Sequence, residues 1–115
     1  MTPDDVERAF LDAGFCGVER DGAQVYARIA AQAPEFRAEE TEGGWRLVLP
    51  WNVRPPVTAM EAWNENMGFA RMQIIAGEAA LVMPLGDLAQ WAALAAEAEA
   101  HFILWRRARR PAEGM

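Results

Sequence analysis

Residues 69–85 read FARMQIIA-GE-AALVMPL: two apolar runs, Phe69 to Ala76 and Ala79 to Leu85, joined across Gly77-Glu78. Short runs rich in Ile, Val, Leu and Met, divided by a glycine turn signal, predict a β-hairpin. A helix follows. Asp87 stands as its N-cap, and Leu88, Trp91, Ala95, Ala98, Phe102 and Trp105 recur at alternating spacings of three and four. That rhythm lays one apolar seam along a helix face, with Gln90, Glu97 and His101 beside it. Pro111 is expected to end this helix.

Working backwards, Thr58 and Glu61 form a T-x-x-E capping box, and Met60, Trp63 and Met67 share one face of the helix it would open. Gly68 would close that helix. Pro50, Pro55 and Pro56 interrupt the preceding stretch, so residues 52–56 read as an irregular link. Phe36 to Thr41 and Trp45 to Trp51 pair as a hairpin across Glu42-Gly43-Gly44. Residues 23–32 are ambiguous. Val25, Ala27 and Ile29 alternate as a strand would, while Ala23, Ala27, Ala30 and Ala31 suit a helix; strand is the preferred reading. At the start, Thr2 as N-cap, Pro3 at the first helical position and Asp4-Asp5 in the first turn predict a helix that stops at Gly14. Asp21-Gly22 marks a turn. The expected order is α-β-β-β-α-β-β-α, an α+β domain whose antiparallel sheet carries its helices on one face. Residues 1–110 form a single domain and 111–115 a C-terminal tail.

The 115 residues are 52% apolar, enough for a core in one domain, with 17 acids against 11 bases. No apolar run approaches the roughly 18 residues of a membrane span. The acidic, amphipathic N-terminus does not read as a secretory signal, and the lone Cys16 has no partner for an internal disulfide. A reducing cytoplasm is the expected compartment. Residues 1–105 hold 7 Arg and 16 acids, net −9, whereas residues 106–115 hold 4 Arg and one acid, net +3. An acidic body repels nucleic acid and anionic membrane, so neither is an expected partner. Arg106, Arg107, Arg109 and Arg110 read as a helix end that complements its own dipole.

All 11 bases are arginine, and the chain contains neither Lys nor Ser. Schiff-base lysines, serine nucleophiles and the lysine of a phosphate-binding loop are therefore excluded. One His and one Cys cannot make a His/Cys metal cluster. His101 follows Glu97 by one helical turn, but no nucleophile stands near it in the sequence. Glu39, Glu40 and Glu42 cannot act as a pair in a strand, where Glu39 and Glu40 point to opposite faces. The chain is not expected to be an enzyme or to carry a cofactor or metal. The surplus of large apolar side chains, five Trp and six Met, points instead to a contact surface.

The segment Met60-Glu61-Ala62-Trp63-Asn64-Glu65-Asn66-Met67, followed by Phe69-Ala70-Arg71-Met72, resembles the N-x-x-N helix and aromatic-led strand of the YbjN family. The same half of the chain is similar to type III secretion chaperones that serve effectors. Those have an Asn-bearing second helix, a strand pair ending as Leu81-Val82-Met83-Pro84-Leu85 does, and a long last helix with late aromatics. The resemblance covers about fifty residues and implies a homodimer that binds an unfolded protein segment along apolar patches and a free strand edge. The expected function is thus a non-enzymatic protein-binding module holding an extended or partly folded client. Its dimer or client contacts would be Met60, Trp63, Met67, Phe102 and Trp105. The alternatives are a YbjN-like regulatory module, or a small-molecule-binding domain with a Trp-lined pocket in which His101 or Glu97 is the polar group.

Overall fold

The computed structural model describes residues 1–66 and 70–113, with side chains through Arg107 in the last helix. Helix α1 (Pro3–Asp12) starts as its sequence dictates: the Thr2 side chain accepts from the Asp5 N–H (3.3 Å), and Asp5 Oδ2 accepts from the Thr2 N–H (2.9 Å). Four strands follow, β1 (Cys16–Asp21), β2 (Gln24–Arg28), β3 (Glu35–Thr41) and β4 (Gly44–Trp51). Helix α2 (Val57–Asn66), β5 (Arg71–Ile75), β6 (Glu78–Pro84) and α3 (Leu88–Glu113) complete the chain. The strands make one antiparallel sheet in the order β1-β2-β3-β4-β6-β5. The domain is therefore α+β, with one strand more than expected: α-β-β-β-β-α-β-β-α.

The additional strand is β1. Its register slips between Cys16 and Glu19, where Gly17 adopts φ +58°, a β-bulge that breaks the alternation a strand is recognised by. The ambiguous segment is strand β2, with Val25 and Ala27 buried and Gln24, Tyr26 and Arg28 turned to the other face. Three boundaries also move. Helix α2 begins on the Pro56 carbonyl, which accepts from Ala59 and Met60, so Thr58 lies inside the first turn and is not the cap. The β5–β6 turn is Ala76-Gly77, both with positive φ, one residue earlier than Gly77-Glu78. Helix α3 runs past Pro111 to Glu113, so the proline does not end it. Asp87 caps α3 as expected, its carboxylate accepting from the Gln90 N–H (3.1 Å). Gly68 and Phe69 lie outside the described residues.

All three helices pack on one face of the sheet. Val6 and Phe10 from α1, Trp63 from α2, and Trp91, Ala95, Ala98 and Phe102 from α3 meet Val25, Ala27, Phe36, Ala38, Leu47, Leu49, Leu81 and Met83 in one core. Phe36 is its hub, with ring centroids 5.3 Å from Phe10, 5.4 Å from Phe15 and 5.4 Å from Trp91. No described helix is long and apolar enough to cross a membrane.

The opposite face of the sheet carries a small aliphatic cluster of Val48, Ala80 and Val82 beside a polar network. Glu39 is the centre of that network, accepting from Arg37 Nε (2.6 Å) and from Arg46 Nη2 (2.5 Å), while Tyr26 donates to Gln24 (2.6 Å). Partial burial works to raise the pKa of Glu39, but hydrogen bonds from Arg37 and Arg46, and their charges, outweigh it and hold it below 4.5. A carboxylate depressed in the folded state adds stability above its unfolded pKa and withdraws it as pH falls through the folded value. Wild-type stability in denaturant titrations is therefore expected to decline as pH drops below about 4.5. Glu39→Gln, less stable at neutral pH, should show a shallower decline; parallel curves for the two proteins would remove this role.

Candidate functional site

The free edges of a sheet are the first place to look for a segment-binding site, because unpaired N–H and C=O groups there accept another strand. Both edges are guarded. Strand β1 is bulged at Gly17 and charged along Glu19, Arg20 and Asp21, and Arg20 is ion-paired to Asp4 of α1. Strand β5 is closed differently. Met72 turns its N–H and C=O away from β6, and the side-chain amide of Asn64 meets both: Asn64 Oδ1 accepts from the Met72 N–H (2.8 Å), and Nδ2 donates to the Met72 carbonyl (3.1 Å). Two residues back along the edge, Trp63 Nε1 donates to the Ala70 carbonyl (2.9 Å). Helix α2 therefore stands in for a seventh strand, and strand addition at β5 would have to displace Asn64.

The side-chain site lies between α2 and α3. A groove of about 320 Å³ is lined by Ala59, Ala62, Trp63 and Asn66 from α2 and by Glu97, His101 and Trp105 from α3. The spacing of Glu97, His101 and Trp105, four residues each, stacks them along one side of α3. The His101 ring stands edge-on to Trp63 at 5.4 Å, and Trp105, one turn further along α3, lies tilted to it at 5.9 Å. Trp63 is 5% exposed and forms the floor, held in orientation by its bond to Ala70. His101 and Trp105 are half-buried, and Glu97 is exposed at the mouth. Leu104, 59% exposed, falls on the same side of α3 as Glu97 and His101, at the rim.

Of the contact residues expected from sequence, Trp63 and Trp105 line this groove. Met60 packs half-buried against the core, and Met67 lies outside the described residues. Phe102 is a correction: it is fully buried, stacked on Trp51 at 5.8 Å, because the seam faces the sheet at that turn. Ala59, Ala62 and Asn66 were not singled out; only the placement of α2 beside α3 brings them to the groove. Arg106 lies over the Trp51 ring, 5.1 Å from its centroid, a cation–π contact away from the groove. Cys16 is half-buried on the edge strand. Among the described residues no cluster of His, Cys, Asp and Glu could hold a metal ion. Comparison with known proteins finds no matching family model, no matching curated protein and no matching solved structure.

Proposed function

We propose that this protein is a non-enzymatic, homodimeric protein-binding module that holds an extended or partly folded client segment, and that the α2–α3 groove is where it does so. The observation that carries the reading is a Trp-walled groove, open to solvent, with Leu104 exposed on the same side of α3 as Glu97. Tryptophans at the centre of a depression with an apolar rim are what a partner's side chains bury against. With β5 closed by Asn64 and β1 bulged and charged, side-chain capture in the groove replaces the strand-edge mode that the resemblance to secretion chaperones implies.

The test is selection of binders from a random peptide library displayed on phage, followed by affinity measurements on the enriched peptides. Trp105→Ala should weaken them by about tenfold or more, and Tyr26→Ala, on the opposite face of the sheet, should leave them unchanged. Enriched peptides indifferent to Trp105, or no enrichment, would overturn the reading. Light scattering on the same preparations should find a species near twice 12.8 kDa; a monomer at every dilution removes the dimer.

A second reading is favoured by the assembly of His101, Glu97, Trp63 and Trp105 at one place: a small-molecule site, for which about 320 Å³ is at the low end of useful size. His101→Gln separates the two. It should abolish binding of a small polar ligand that the imidazole orients, and leave a peptide anchored on the tryptophans in place.

A further inference from the structure

We infer that the outward face of α3 is where a second copy of this chain packs, with the two helices antiparallel. This rests on the homodimeric reading and places its interface. Helix α1 shows a solvent face of the ordinary kind: away from its buried Val6 and Phe10 stand Asp5, Arg8 and Asp12. Helix α3 is apolar on two opposite sides. Its inner side is the seam of Trp91, Ala95, Ala98 and Phe102. Its outer side repeats the rhythm: Ala89, Ala93, Ala96, Ala100 and Ile103 follow at spacings of four, three, four and three, with Leu104 beside them. All six are exposed, Leu104 by 59% and Ile103 by 37%. A helix with an apolar stripe on each side needs cover on each side, and one chain covers only the inner one. The other large apolar side chains exposed among the described residues, Met1, Leu11, Val57 and Ile74, stand on four separate segments. On the open face of the sheet, Val48 and Ala80 are already fully buried.

Size and charge both select a second copy, run antiparallel. The outward face is small in its first half and large in its second. With the helices crossing near Ala100, Ile103 and Leu104 lie over Ala93 and Ala96 of the partner subunit, and alanines at the crossing let the axes approach to about 8 Å. Glu97 and Glu99 precede Arg106 and Arg107 along α3. The same reversal brings Arg107 within a side chain's reach of Glu97 of the partner subunit, whereas a parallel pair sets arginine against arginine. The contact is isologous and closes at two copies. Its two-fold axis stands perpendicular to the plane of the helix pair, so both α2–α3 grooves open on the same side of the dimer, where one extended client can span them.

The experiment uses the full chain. Light scattering over a dilution series should find a wild-type dimer. Ala100→Arg, at an exposed position, should raise its dissociation constant at least about a hundredfold while leaving the circular dichroism spectrum unchanged. In a Cys16→Ala background, Ala93→Cys and Arg107→Cys chains, mixed and oxidised, should cross-link to each other and neither to itself. A dimer that survives Ala100→Arg, or self-linking at Ala93→Cys, would overturn this interface while the homodimer stands. A wild-type monomer at every dilution removes interface and homodimer together, and library-selected peptides that depend on Trp105 would then still support the binding module.

Discussion

Phe36→Ala should lower the unfolding free energy by about 4 kcal/mol, the cost of emptying a fully buried aromatic site. Phe36 is 1% exposed and, among the described residues, is the one ring that touches Phe10 of α1, Phe15 of the α1–β1 link and Trp91 of α3. Its loss leaves a cavity bounded by three large, rigid rings. These rings belong to three different elements, each fixed by its own packing in the core, so little of the cavity cost is recovered by collapse. Domains of this size are stable by only about 5–15 kcal/mol, so about a quarter of the total or more is at stake. Urea titration should show a much lower midpoint at unchanged slope, and melting should fall by about 15 °C. Phe36→Leu, which keeps most of the volume, should cost about 1–2 kcal/mol. If alanine costs no more than leucine, Phe36 is not the hub of this core.

That hub was only half legible in the sequence. Phe36 and Trp91 announce themselves by position, one in a period-two strand, the other in a three-four seam. Nothing local says that they meet, since β3 and α3 are brought together only when the whole sheet is assembled. The hairpin of residues 71–84 and the seam of α3 are legible because each satisfies one period over a long stretch. Strand β1 is not legible, because Gly17 interrupts its alternation and its outward residues are Glu19, Arg20 and Asp21, which resemble a loop. The groove is intermediate. His101, Glu97, Trp63 and Trp105 each stand out as residue types, but their assembly depends on how α2 crosses α3. Phe102 shows the converse: a late aromatic in the seam reads as a contact residue, and the fold spends it on Trp51.

Asn64→Ala is expected to have the second-largest effect, and on two observables at once. The Asn64 amide satisfies both the N–H and the C=O of Met72, at 2.8 and 3.1 Å. Met72 itself is 2% exposed, so water reaches those groups poorly once the amide is gone. Leaving a buried donor and acceptor unpaired costs about 1–3 kcal/mol. The same change uncovers the β5 edge from Met72 to Ile74, and Ile74 is already 53% exposed. An apolar edge with free backbone groups is a template for another strand, so Asn64→Ala should also form higher-order species in light scattering at concentrations where the wild type does not. Asn64→Asp discriminates the mechanism. The carboxylate still accepts from the Met72 N–H but faces the Met72 carbonyl with no proton to give, so the variant should be impaired at neutral pH. As the carboxyl protonates at low pH it regains a donor, and the gap between Asn64→Asp and wild type should narrow. An Asn64→Ala protein that is as stable and as disperse as wild type would mean that α2 covers the edge by bulk alone, and the strand-edge mode of client binding would return to contention.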